Sequence, residues 1–342
     1  MSLKTIKKFT VYFFRGHYID KLDDTTPIID YELWDKIFKA VDTKLVDINS
    51  HQSRYIEINN NFYFMLFYNQ NTKNLQNNVF KDKDGFIYGI IFKRREANWP
   101  SIDNGYGELR KINAKQNEGI AEQAYFILDT QKSILLFASN QRSATSSILA
   151  KYLSIIVNTL EETKIFVNFR FIVHPESEER LEKMTSIKRI DIQLSGGDFL
   201  DSITNAENEH ISTIDNAIIS SIKAAKSFGG KTLSLSIETN NTKEVNPIKK
   251  FIKRLQKLIL SFPDEQETRP SRSQNKCSLT GVIDEETQIL NLLEDKLLIK
   301  ANIEIIEKYE DLQNIFDKLN ECYKNQNILL LKVINNERRE YE

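Results

Sequence analysis

Short strand-like runs closed by tight polar turns constrain this chain more than any other feature of its sequence. KDKDG (81–85) is a turn signal that feeds FIYGIIFKRR (86–95), and AYFILD (124–129) and SILLFAS (133–139) stand on either side of DTQK. A link that short brings the chain back alongside itself, so the second pair reads as a hairpin. FTVYFFRG (9–16), FYFMLFYNQ (62–70) and IFVNFRFIV (165–173) are β-branched and aromatic, which favours strands. IKRIDIQLS (187–195) and KTLSLSIET (231–239) alternate apolar and polar, the period of a half-buried strand.

Helical spacing appears between these runs. DYELWDKIFKAV (30–41) places Leu33, Ile37 and Val41 on one face, and SATSSILAKYLSIIVNTLEE (143–162) adds N-cap residues before a long amphipathic run. Pro175 opens PESEERLEKM with acids in its first turn, and STIDNAIISSIKAAKSF (212–228) is closed by Gly229–Gly230. NPIKKFIKRLQKLILSF (246–262) and YEDLQNIFDKLNECYKN (309–325) complete the set, with CSLTGVIDEE and QILNLLEDKLLIKANIEI read as paired strands between them. Strands and helices do not alternate regularly, so the expected class is α+β, with mixed, mostly antiparallel sheets flanked by helices. A length of 342 residues accommodates two such domains, read as 1–162 and 163–342. The second carries a polar linker at 263–276, PDEQETRPSRSQNK, which has no apolar residue.

Composition narrows the function classes. Hydrophobic residues make up 40% and charged residues 28%, a globular balance, and the net charge of −1 confines any electrostatic partner to a local patch. Two cysteines, Cys277 and Cys322, form no CxxC pair and read as free thiols in a reducing compartment. No apolar run reaches the roughly 18 residues of a membrane span, and MSLKTIKKFTVYFF reads as a first strand, so the expected location is cytoplasmic.

Catalytic and cofactor signatures are missing. His17, His51, His174 and His210 stand far apart, with no HxxxH or HExxH. Neither GxxxxGK[ST] nor a GxGxxG after a strand occurs, and SGGD (195–198) and SFGGKT (227–232) read as a turn and a helix C-cap. No GxSxG surrounds a serine. Glu162-Thr-Lys164 is one string of the kind a metal-dependent nuclease uses, and such strings recur by chance in a chain this rich in Glu and Lys. No cofactor and no small-molecule substrate is expected.

The basic helix is the functional lead. Ile248, Phe251, Ile252, Leu255, Leu258 and Ile259 gather on one face of 246–262, and Lys249, Lys250, Lys253, Arg254 and Lys257 carry five cations with no acid among them. Like charges at i, i+4 repel by a few tenths of a kcal/mol per pair on an isolated helix, and a helix with only a structural role usually intersperses Glu. Other cations accompany it: Lys93, Arg94 and Arg95 at the end of a strand, Arg110 and Lys111, Lys188 and Arg189, and Arg269 and Arg272 in the linker. Acids concentrate elsewhere, at 161–182 and from Asp284 onward. A segregated cationic surface binds double-stranded DNA through phosphates and counterion release without reading bases.

The C-terminal stretch TGVIDEETQILNLLEDKLLIKANIEIIEKYEDLQNIFDKLNECYKN resembles the end of the RexA-like phage-exclusion proteins and of related abortive-infection proteins. It shares a strand pair about an acidic turn, a Leu-rich strand with Leu290, Leu292, Leu293 and Leu297, and a last helix carrying Tyr323. IAEQAYFILDTQKSILLFASNQRSATSSILAKYL (120–153) is similar to the hairpin and helix that end that family's N-terminal domain. The resemblance implies a two-domain homodimer that binds duplex DNA without strong sequence preference in phage defence. By analogy it adds a membrane-embedded partner subunit. Two other readings stay open: a nuclease with an unrecognised metal-dependent site, and a protein-interaction sensor subunit.

Overall fold

A computed structural model describes residues 4–20, 31–95, 102–103, 109–112, 119–139, 142–159, 165–172, 174–195, 232–242, 276–291, 297–306 and 311–341, with isolated helical positions between 220 and 253. The class is α+β. The elements run β1 (Lys4–Asp20), α1 (Tyr31–Asp42), β2 (Ile56–Ile58), β3 (Asn61–Asn69), β4 (Asn74–Gln76), β5 (Phe86–Arg95), β6 (Ile102–Asp103), β7 (Leu109–Arg110), β8 (Ile120–Asp129), β9 (Ile134–Ser139) and α2 (Ser146–Asn158). They continue through β10 (Ile165–Phe171), α3 (Pro175–Lys183), β11 (Ser186–Ser195), β12 (Thr232–Thr242), β13 (Lys276–Ile283), β14 (Glu286–Asn291), β15 (Leu298–Ile306) and α4 (Leu312–Tyr341). Every strand pair with a described register is antiparallel.

The chain divides into two compact units: Met1–Phe169 with Leu298–Asn327, and Arg170–Leu297 with Ile328–Glu342. The division expected after residue 162 falls inside β10, and 298–327, expected in the second domain, belongs to the first unit. The cause is β15. It does not continue the β13–β14 hairpin but pairs with β1 from Lys4↔Ile306 to Tyr12↔Leu298. The expected linker lies outside the described residues except for Lys276, which begins β13.

The first unit is built on a sheet of order β10-β1-β9-β8-β5-β3-β2, with β15 on β1 and β4 on β3. β9 and β15 both pair Thr10–Tyr12, so they take opposite edges of β1. Strand alternation sends successive side chains to opposite faces, and both faces are covered. On one, Phe38 of α1 meets Phe67 edge-on, and Trp34 stacks on Phe169 and donates to Ser133 Oγ at 2.9 Å. On the other, Phe316 of α4 touches Tyr68, Tyr88 and Tyr125. Gly89 is required by close approach: a Cβ there would stand 2.1 Å from the Phe126 ring. α2 starts where Thr145 accepts from the Ile148 amide at 3.3 Å, as the capping residues of the sequence imply.

The second unit is built on a sheet of order β12-β11-β13-β14. Ile187, Ile190 and Ile192 on β11 and Cys277, Leu279 and Ile283 on β13 are buried, while Arg189, Ser236, Glu238 and Thr287 are exposed. β13 and β14 turn over at Asp284 and Glu285, both at positive φ (48° and 67°), the primed-turn conformation that suits a two-residue hairpin. Gly281 admits Met184: an added Cβ would stand 2.5 Å from its Sδ. The helix expected at 309–325 runs on to Tyr341, because Leu330 and Ile334 extend its apolar spacing and are buried in their turn.

Candidate nucleic-acid interface

Pro175 at the first helical position and the His174 cap set the start of α3, whose sequence PESEERLEK makes it an acid-rich helix. Residues 246, 248–250, 252 and 253 of the basic segment are helical. Of its apolar positions, Ile248 is 5% and Ile252 0% exposed. Lys249 sits with them at 8% exposure, and its Nζ donates to the Glu182 carbonyl oxygen at 2.5 Å. That carbonyl is in the last turn of α3, where the helix lacks an internal donor and its dipole favours a cation. Lys249 therefore caps α3. Lys253 reaches the same residue from one turn further on, its Nζ 2.7 Å from Glu182 Oε1.

Two of the five cations thus hold the segment to α3. Lys250 is exposed. Arg254 and Lys257 follow Lys250 at i+4 and i+7 in the sequence. Arg254 and Lys257 lie outside the described residues, as do Arg269 and Arg272.

Lys93, Arg94 and Arg95 are brought together by sequence and parted by the pleat of β5. Lys93 stands opposite Glu122 on β8, its Nζ 6.0 Å from the Tyr63 ring centroid. Arg95 shares that face and lies 3.5 Å from Glu122 Oε1. Arg94 takes the other face, opposite Phe62. Its neighbours there are stacked aromatic rings, Tyr55 on Phe64 at 4.5 Å and Phe64 on Phe92 at 4.6 Å, with the exposed Glu57 beside Phe62. The three cations make no common stripe.

The remaining basic positions are also dispersed. Lys188 Nζ donates to Thr287 Oγ1 at 2.8 Å, and Arg189 pairs with Asp191 at 2.9 Å and Glu238 at 3.4 Å. A hydrogen bond from the Ser236 hydroxyl, with help from Arg189, holds the Asp191 carboxyl below its ordinary value. Lys111 is exposed, and Glu162 and Lys164 of the nuclease-like string lie outside the described residues. Among the described residues, no three His, Cys, Asp or Glu side chains gather to hold a metal ion, and no helix is long and apolar enough to cross a membrane.

Two groups escape sequence reasoning. Glu182 is one. Its signal was the acid-rich α3 itself, a complement to the acid-free segment at 246–262. The other is a buried network in the first unit. Asp129, 1% exposed, accepts from the Tyr323 hydroxyl and from Lys132 Nζ at 3.0 Å, and Lys132 Nζ also reaches the Tyr323 oxygen at 3.1 Å. Burial, then the Asp129 charge, raises the Tyr323 phenol above its ordinary value. Arg54, 1% exposed, performs a similar structural task with bonds to the Val41 carbonyl at 2.8 Å and the Lys44 carbonyl at 3.2 Å, closing the C-terminal end of α1.

Residues 34–339 match the family of unknown function DUF6731. The chain belongs to that family. The match opens at Trp34 in α1 and ends at Arg339 in α4, so it leaves out β1 but reaches into both units and takes in α3 and the basic segment. No curated protein matches the chain.

Proposed function

We propose that the protein binds double-stranded DNA through its phosphates, without reading sequence, as a non-enzymatic component of antiphage defence. The defence setting follows from the RexA-like resemblance. The observation that carries the DNA reading is the division of labour in the basic segment. Lys249 and Lys253 hold α3 while Lys250 is exposed, and the sequence repeats a cation at Arg254 and Lys257, the spacing of one helical face. Anchoring the segment at two points reduces the entropy lost when its outward cations meet phosphates.

The test separates the two rows. In gel shifts with a short random duplex across a salt series, the wild type should bind with a log–log salt slope of about −0.9 per phosphate contact. Charge reversal at Lys250, Arg254 and Lys257 should abolish the shift while the protein stays folded. Lys249→Met should leave the slope unchanged. Salt-insensitive binding, or equal loss from the two rows, would overturn the reading.

A further inference from the structure

We infer that Glu182 is a built-in counter-charge that competes with DNA phosphate for Lys253, setting how tightly the basic segment holds its partner. The inference rests on the DNA reading above and adds its regulation. Glu182 uses two different groups on the two lysines. Lys249 is bound by the backbone carbonyl and Lys253 by the carboxylate. A carbonyl is present whatever the side chain, so the first contact is a fixed anchor. The second depends on a charge.

Lys253 and Glu182 are also the more accessible partners. Their side chains are 33% and 56% exposed, while Lys249 is 8% exposed as a residue. An ion pair at such exposure contributes on the order of 1 kcal/mol or less, within reach of a phosphate group to displace. α3 makes the same kind of contact elsewhere, with Glu179 Oε1 3.8 Å from Lys332 Nζ. An acidic helix set against cations presents them with the charge a polyanion would bring. While Glu182 holds Lys253, that lysine is withheld from phosphate, whereas Lys250 is exposed.

The experiment is Glu182→Gln, which keeps the anchoring carbonyl and removes the charge. Against the same duplex its salt slope should steepen by about 0.9, the worth of one added phosphate contact, and binding at about 0.15 M salt should tighten about fivefold. In a Lys253→Met background, Glu182→Gln should leave the slope as it was. An unchanged slope for Glu182→Gln alone, weaker binding, or an equal gain in the Lys253→Met background would overturn the inference while leaving the DNA reading standing. Absence of duplex binding by every form, wild type included, would instead sink the DNA reading.

Discussion

Two charged clusters, one in each unit, handle charge in opposite ways. In the first, Asp129, Lys132 and Tyr323 close on one another beneath α4, with the carboxylate 1% exposed and each polar group answered by another. In the second, the Glu182–Lys253 pair is open to water on both sides. A buried network is costly to break, because the group left behind loses both its partner and its solvent. A half-exposed pair is cheap to exchange. The contrast extends to the cores. Among the described residues the first unit buries Trp34, Phe67 and Phe316, while the buried apolar residues of the second are Ile, Leu, Met and Cys.

The largest effect should come from Asp129→Ala. It strips the acceptor from the Tyr323 hydroxyl and from Lys132, and should cost the first unit about 3 kcal/mol, read by urea denaturation followed through tryptophan fluorescence. A cost near that of a surface substitution would erase the contrast between the units.

Alkaline titration sharpens it next. Burial raises the phenols of Tyr88, Tyr152 and Tyr323 above their ordinary values. A group whose pKa is raised in the fold contributes stability that is complete below its unfolded value, about 10, and is lost as pH climbs through the folded one. These three should remain neutral until the first unit unfolds, so phenolate absorbance should show a late cooperative step coincident with the loss of native fluorescence. Smooth ionisation of all 13 tyrosines in a still-native protein would contradict this.

The smallest effect is expected from Lys249→Met. It removes a helix cap in the second unit and should cost about 1 kcal/mol, seen as faster hydrogen exchange across α3. A global loss of structure would mean that the second unit depends on this contact far more than its geometry implies.

Much of the fold was legible in the residues. The hairpin 124–139, the helices at Tyr31–Asp42 and Ser146–Asn158, and the alternating strands β11 and β12 stand where turn chemistry and period place them. Those signals are local, and a local rule needs only neighbours in sequence. The partner of β15 was not legible. Its apolar run would satisfy β14 or β1 equally, and the choice of β1 moved 298–327 into the first unit. The extent of α4 was underestimated because NQN at 325–327 interrupts its apolar spacing before Leu330 resumes it.

The candidate interface divides along the same line. Sequence alone determined that five cations share one acid-free helical segment and that three more follow one another at the end of a strand. Only the tertiary structure decided which face water. The pleat of β5 sends Lys93 and Arg95 to the Glu122 side and Arg94 to the aromatic side. Packing against α3 commits Lys249 and Lys253 to Glu182 and leaves Lys250 exposed. Whether a cation is spoken for depends on an acceptor that is about seventy residues away in the chain but under 3 Å away in space, and no one-dimensional pattern encodes that distance.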